Sequence, residues 1–194
     1  MPAAPASKVI LLVGLPGVGK TTLANALARR IGGEILSRDS IRDAIFPDVY
    51  LDYSPEQNHV GTDTLLSVLQ YILHRHDGAR LIIDGKPFSR AHEVRSIVTL
   101  AERHHAHVYV VHCDAPLDVV SERLKNGLSD AANLRAQRTP EKAARIHDEF
   151  EPLAIPHLKV DMTGPLDGIV EEIVGYMAEG RQSDTAPLKK ESGA

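Results

Sequence analysis

The chain has 194 residues, of which 43% are hydrophobic and 25% are charged, so it is long and apolar enough for one domain with a sizeable core. Its formal charge of −4, from 22 basic and 26 acidic side chains, gives no overall attraction to nucleic acid or to an anionic membrane. The single cysteine, Cys113, excludes an internal disulfide framework and favours a cytoplasmic localisation.

Both ends of the sequence have the composition of unstructured chain. Residues 1–7 are rich in Pro and Ala, and residues 179–194 combine Gly, Ser, Pro and Lys with few apolar side chains. They predict a flexible N-terminal arm and a flexible C-terminal tail around one domain at 8–178. The first apolar run, residues 9–15, is too short to cross a bilayer, so no membrane partner is expected.

The first predicted element is a buried strand at residues 9–13, which a glycine-rich motif follows directly. Residues 14–21 read Gly-Leu-Pro-Gly-Val-Gly-Lys-Thr, and a helical pattern continues to about residue 30. Glycines let backbone N–H groups turn towards phosphate oxygens, and the helix start adds its positive dipole end. The motif predicts a phosphate-binding loop (P-loop, residues 14–22) for ATP or GTP, with Lys20 on the β- and γ-phosphates and Thr21 on Mg²⁺. The predicted nucleotide-binding residues here are Gly14, Pro16, Gly17, Val18, Gly19, Lys20, Thr21 and Thr22.

A weaker strand at residues 34–36 leads into the segment Ser-Arg-Asp-Ser-Ile-Arg at 37–42. Helical spacing puts Asp39 in a first turn and Arg42 one turn later on the same face. In an open parallel sheet the strand ends face the ligand crevice, so Asp39 could accept the proton of an attacking hydroxyl while Arg42 anchors an anion. Helix capping by Asp39, with an exposed Asp39–Arg42 pair, is the simpler alternative.

A third apolar run, residues 80–83, predicts a strand that ends at Asp84. A carboxylate in that place can orient Mg²⁺ together with Thr21, although a lone Asp after a strand is also a common turn residue. Lys86 either faces the same crevice or solvates the loop. Asp84 is therefore the second predicted metal residue.

Two further apolar runs, residues 107–112 and 157–160, bring the predicted strands to five. Helical stretches separate the strands, which is typical of a parallel sheet covered on both faces. The predicted fold class is α/β, a three-layer α/β/α P-loop NTPase with a five-stranded parallel sheet.

The apolar period is lost between residues 126 and 139, and the wider segment from 123 to 145 carries six positive charges against two negative ones. Its position after a strand and a helix favours a basic lid at about residues 126–140. A solvated helix face is the alternative, because most charge runs mean no more than that.

The P-loop and the 37–42 segment resemble those of the P-loop kinase group that includes polynucleotide 5′-kinases and zeta-toxin-type sugar-nucleotide kinases. The resemblance implies a sheet order of 2-3-1-4-5, Asp39 as general base and Arg42 on the acceptor side. It also implies lid arginines on the ATP phosphates: Arg123 lies where the lid begins, and Arg135 and Arg138 are later candidates. The implied catalytic residues are Lys20, Asp39, Arg42 and Arg123.

The implied reaction is transfer of the γ-phosphoryl of ATP to a hydroxyl of a small molecule, a nucleoside or a nucleic-acid 5′ end. The acidic net charge and an aromatic content of 4% favour a small hydroxyl compound over nucleic acid as the acceptor. A nucleotide-hydrolysing switch that acts through a protein partner is the alternative, but the sequence has no Asn-Lys-x-Asp guanine motif.

Residues in two loops are further candidates for the active site, although each loop also has a simpler explanation. Tyr50, Asp52, Tyr53 and His59 could shape the acceptor pocket or form a plain surface loop. Asp161 and Thr163 follow the last strand and could touch the nucleotide base, although turn chemistry explains them equally well. Cys113 is expected to be a small core residue.

Overall fold

The computed structural model describes residues 5–127 and 138–180, and its centre is a sheet of five parallel strands. The strands are β1 (Lys8–Val13), β2 (Glu34–Ser37), β3 (Arg80–Asp84), β4 (His107–Asp114) and β5 (Leu158–Asp161). Their order is β2-β3-β1-β4-β5, the order that the resemblance implies. The predicted α/β class and the five-stranded parallel sheet are therefore confirmed.

Seven α-helices and one short 3-10 helix surround the sheet in the described part of the chain. They are α1 (Lys20–Ile31), α2 (Arg38–Ile45), the 3-10 helix (Asp48–Tyr50), α3 (Pro55–Arg75), α4 (Ala91–Arg103), α5 (Leu117–Asn126), α6 (Pro140–Asp148) and α7 (Leu166–Ala178). Several starts follow from the sequence. Ser54 and Thr139 are each the N-cap of a helix whose first residue is proline. The capping side chain and the fixed φ of proline together favour the first helical turn at that place.

Two hydrophobic clusters lie on opposite faces of the sheet. In β1 the side chains alternate between them, with Ile10 in one cluster and Leu11 in the other. The first cluster packs the sheet against α1, α5, α6 and α7, and the second packs it against α3 and α4. This is the predicted three-layer α/β/α arrangement, and it leaves the carboxyl ends of all five strands along one edge.

The predicted N-terminal arm includes one residue that packs on the domain. Ser7, in the predicted arm, is buried, and its hydroxyl accepts a hydrogen bond from the amide of Ala79. Residues 128–137 of the predicted lid and residues 181–194 of the predicted tail lie outside the described residues. Among the helices that the structure does describe, none is long and apolar enough to span a membrane.

Cys113 lies on β4 and is only 1% exposed. Burial raises its pKa to about 12, because the charged thiolate loses its hydration, and Asp84 adds to this effect while Lys20 opposes it. The protonated thiol contributes stability at a pH below its ordinary pKa of 9.0, and that contribution is lost as the pH rises towards about 12.

We expect the folded chain to resist alkylation of Cys113 by iodoacetamide at about pH 8.5, where an ordinary thiol reacts readily. Mass spectrometry of intact protein would measure the modification, with the chain unfolded in guanidinium chloride as the control that must react. Fast modification of the folded chain would contradict this burial.

Candidate active site

The P-loop connects the end of β1 to the start of α1, and its backbone needs glycine. Gly14 has a φ of 147° and Gly19 a φ of 112°, both in the region that residues with a side chain rarely adopt. A Cβ atom on Gly14 would lie 2.3 Å from the carbonyl oxygen of Cys113 on β4. The loop therefore packs directly on the end of the neighbouring strand, and α1 begins at Lys20 with its N-terminus open to the cleft.

We expect Gly14→Ala to lower the free energy of unfolding by several kcal/mol and to abolish ATP binding, since it combines a backbone clash with a strained φ that costs about 1–3 kcal/mol by itself. Gly175→Ala is the matched control: nothing lies within 4 Å of its added Cβ in α7, and alanine should stabilise this helix by up to about 1 kcal/mol. Urea unfolding and nucleotide titration measure both effects. A stable Gly14→Ala chain that binds ATP normally would refute this packing.

Lys20 folds back over the P-loop. Its Nζ donates hydrogen bonds to the carbonyl oxygens of Gly14, at 2.8 Å, and Leu15, at 2.9 Å. Burial lowers the pKa of Lys20, and the neighbouring charges of Asp84 and Asp39 act in the opposite direction. A buried ammonium above a ring of backbone N–H groups is suited to bind phosphate oxygens.

Thr21 and Asp84 meet at the head of α1. The Thr21 hydroxyl donates to Oδ2 of Asp84 at 2.8 Å, and Asp84 is 2% exposed at the end of β3. Oδ1 of Asp84 has no hydrogen-bond partner within the described residues, although it is fully buried. A hydroxyl beside a carboxylate with one unsatisfied oxygen fits Mg²⁺, which prefers oxygen ligands.

Asp39 lies at the start of α2 and contacts three arginines. Its Oδ1 is 2.8 Å from Nη2 of Arg38 and 3.1 Å from Nη1 of Arg42, and its Oδ2 accepts a hydrogen bond of 2.8 Å from Nη2 of Arg138. Ser37, rather than Asp39, caps the helix. Simple capping by Asp39 therefore does not describe its environment.

Arg42 is buried, with 3% exposure, and does not form the exposed pair of the simpler alternative. Its Nη1 also donates to Oδ1 of Asn58 at 2.8 Å, and its guanidinium lies 4.4 Å from the centre of the Tyr53 ring. Tyr53 has a positive φ of 58°, in a loop whose amides bond to the side chain of Gln57. The loop before α3 thus helps to hold Arg42 in place.

The three predicted lid arginines have different positions. Arg123, in α5, donates to the carbonyl oxygens of Val18 in the P-loop, at 2.9 Å, and of Met162 after β5, at 2.8 Å. Arg138 precedes α6 and contacts Asp39, and its charge also acts on Lys20. Arg135 lies outside the described residues. Of the two lid arginines that the structure describes, Arg138 is thus the one that contacts the carboxylate of Asp39.

Sequence reasoning missed Arg38 and Lys142 as site residues. Arg38 donates two hydrogen bonds to the carbonyl oxygen of Gly85, at 3.1 Å and 2.7 Å, which join α2 to the loop after β3. Its position next to Asp39 at a strand end was the available signal. Lys86 faces the cleft, as one of its two alternatives proposed, and forms an ion pair with Glu93 at 2.8 Å.

Of the candidate residues in the two remaining loops, Tyr53 alone lines the cleft. Tyr50 is 71% exposed and His59 is exposed on α3, whereas Tyr53 lines the cleft. Thr163 donates from its amide and hydroxyl to Oδ1 of Asp161, which is the geometry of a turn.

One open cavity of about 430 Å³ brings most of these groups together. Of the predicted residues, Gly14 and Val18 do not line it, and the Val18 side chain is in the core. Its lining includes Lys20, Thr21 and Asp84 from the P-loop and β3, Arg38, Asp39 and Arg42 from α2, Tyr53 and Asn58 from the loop before α3 and its first turn, and Arg138 and Lys142 from just before α6 and its first turn. A phosphate cradle and a carboxylate held by arginines therefore share one cleft.

The fold and the cleft define a P-loop protein with a three-layer α/β/α architecture. A family model described as an AAA domain matches residues 9–153. The chain therefore belongs to this AAA domain family of P-loop proteins.

Comparison with solved structures supports the same fold. The APS kinase CysC of Mycobacterium tuberculosis, solved with AMPPNP and APS, is 20% identical, with a TM-score of 0.67 over 90% of this chain and 99% of its own. A protein from Chloroflexus aurantiacus J-10-fl, provisionally assigned as a kinase, is 24% identical, with a TM-score of 0.71 over 89% and 98%. A gluconokinase from Sinorhizobium meliloti 1021 is 15% identical, with a TM-score of 0.62 over 91% and 94%. No curated protein sequence gives a significant match.

Proposed function

We propose that the chain is an ATP-dependent phosphotransferase that moves the γ-phosphoryl group to a hydroxyl of a small molecule. The observation that carries the proposal is the position of Asp39, which lies in the same cavity as Lys20 and Asp84. A protein that only hydrolyses nucleotide as a switch has no need for a second, arginine-lined half of the cleft beside its phosphate loop.

In this reaction the acceptor oxygen forms a bond to the γ-phosphorus while the bond from that phosphorus to the bridging oxygen of ADP breaks. The hydroxyl proton passes to the carboxylate of Asp39 and from there to solvent. Lys20 and Arg138 stabilise the negative charge on the transferring group, and Arg42, fixed by Asn58, positions the acceptor side.

Thr21 and Asp84 are the residues that would hold Mg²⁺, since the unsatisfied oxygen of Asp84 needs a partner. When bound, the ion would neutralise charge on the β- and γ-phosphates. The thiol of Cys113 stays reduced in the cytoplasm, where we place the reaction.

The comparisons support a small acceptor. The names APS kinase and gluconokinase both specify a small-molecule acceptor. The structural match covers 99% of the first protein and 94% of the second. A cavity of about 430 Å³ is also of the size that small-molecule sites have.

The test is ATP turnover against a panel of acceptors: nucleosides, 5′-hydroxyl oligonucleotides, sugars, sugar phosphates, sugar nucleotides and aminoglycosides. ADP release and transfer of labelled phosphate are followed together. We expect one acceptor class to accelerate ADP release and to become labelled in equal amount. Slow hydrolysis that no acceptor changes, but that a protein partner accelerates, would instead support the nucleotide switch.

A further inference from the structure

Even without Lys20 and Arg123, more cationic than anionic side chains line the cleft. The five cations are Arg38, Arg42, Lys86, Arg138 and Lys142. One carboxylate, Asp39, is shared by the three arginines, and Glu93 pairs with Lys86 at 2.8 Å. These contacts account for every one of the five cations except Lys142.

Lys142 lies in the first turn of α6, one residue after Glu141, and is partly buried. Within the described residues its Nζ has no hydrogen bond and no ion pair, while Arg42 and Arg38 have two or more each. Its pKa is lowered, mainly by burial and then by the positive charges of Arg145 and Arg38. An ammonium in these surroundings is less stable than one in water, and a bound anion would remove that penalty.

The surroundings of Lys142 belong to the acceptor side. The cleft charges that act on it are those of Arg38, Asp39 and Arg42, all from α2. Lys142 also lines the same cavity as these three α2 residues. An anion on Lys142 would therefore lie beside the residues to which the proposed function assigns the acceptor.

We propose that Lys142 binds an oxyanion group of the acceptor, so that the acceptor is a hydroxyl compound that also carries a phosphate, sulfate or carboxylate. The inference rests on the proposed function, because it identifies this ligand as the acceptor. Arg38 and Arg42 raise the positive potential around the site, and Arg42 has further contacts that hold it in position.

The first test measures binding without turnover. Inorganic phosphate is titrated calorimetrically into protein saturated with a non-hydrolysable ATP analogue and Mg²⁺, so that the P-loop is filled. We expect phosphate to bind, and Lys142→Met, which keeps most of the apolar stem, to weaken binding by about tenfold or more. Arg145→Ala, which removes one positive charge from the same helix outside the cavity, should change the affinity less than about twofold. Parallel titrations with sulfate and acetate distinguish the oxyanion classes.

The inference fails if phosphate does not bind, or if Lys142→Met binds it as tightly as the unchanged chain. Lys142→Ala and the thermal unfolding midpoint of each variant separate a lost contact from a lost fold. A loss of affinity in both variants with an unchanged midpoint supports the site.

The second test compares acceptors that differ by one anionic group: glucose with glucose 6-phosphate and with gluconate, and uridine with uridine 5′-phosphate. We expect the anionic member to have at least a tenfold higher kcat/KM, and Lys142→Met to reduce that preference through KM. Equal rates for neutral and anionic members would overturn the inference while leaving the phosphotransferase proposal intact. No product from any acceptor would count against the phosphotransferase, and phosphate titration would then decide the anion site by itself.

Discussion

Asp39→Asn is expected to lower phosphoryl transfer by about 10²–10⁴-fold while leaving ATP affinity within about twofold of the unchanged chain. The amide keeps the size of the side chain but cannot accept the hydroxyl proton. It also loses the charge that the guanidinium groups of Arg38, Arg42 and Arg138 contact at 2.8–3.1 Å. Single-turnover transfer and nucleotide titration measure the two quantities separately.

The matched control is Asp43→Asn. Asp43 accepts from the same Arg42 at 2.9 Å, but it is 49% exposed and does not line the cavity. Its loss should leave turnover within a few fold, because Asp39 and Asn58 still hold Arg42. Equal losses in both variants would mean that the carboxylates matter through the position of Arg42, and full transfer by Asp39→Asn would remove Asp39 as the base.

Arg138→Ala is expected to lower kcat by about 10³-fold with a much smaller change in KM for ATP. An arginine that stabilises the charge of a transferring phosphoryl is worth about 10³–10⁵ in kcat in other nucleotide-hydrolysing proteins. Arg138 is the described lid arginine whose guanidinium reaches Asp39 and whose charge acts on Lys20. Steady-state kinetics with a saturating acceptor would show the division between kcat and KM.

Arg138→Lys should recover only part of the loss, since an ammonium cannot make the paired contacts of a guanidinium. Arg123→Ala provides the comparison. Its bonds to Val18 and Met162 hold the P-loop against the loop after β5, so we expect weaker ATP binding and a smaller loss of kcat. A larger effect on kcat from Arg123→Ala than from Arg138→Ala would reverse the roles assigned here.

The sheet and the phosphate loop could be predicted because their signals are local. The strands β1, β3 and β4 contain continuous apolar runs, and the glycine at position 14 is required by a φ of 147° and a close approach to β4. Asp39 and Asp84 could be placed because they follow strands, and parallel strands end at one edge.

The ends of long side chains could not be predicted in this way. Arg123 was expected at the phosphates, but its guanidinium contacts two carbonyl oxygens, and that role at the nucleotide stays a prediction. No sequence period predicts that Arg38 and Lys142 line the cleft, because this depends on how the helices α2 and α6 pack in the fold. Tyr53 lines the cleft through a turn that Gln57 organises, which no spacing rule reports.

The guanidinium contacts to both carboxylate oxygens of Asp39 also affect how much ATP the protein would hydrolyse when no acceptor is bound. Both carboxylate oxygens are bonded to guanidinium groups, so Asp39 is not free to activate a stray water molecule in the cleft. In the proposed reaction, an acceptor would displace one of these guanidinium groups before the carboxylate takes its proton. The proposal therefore predicts that ATP is consumed mainly when an acceptor is present and that hydrolysis by water alone is slow.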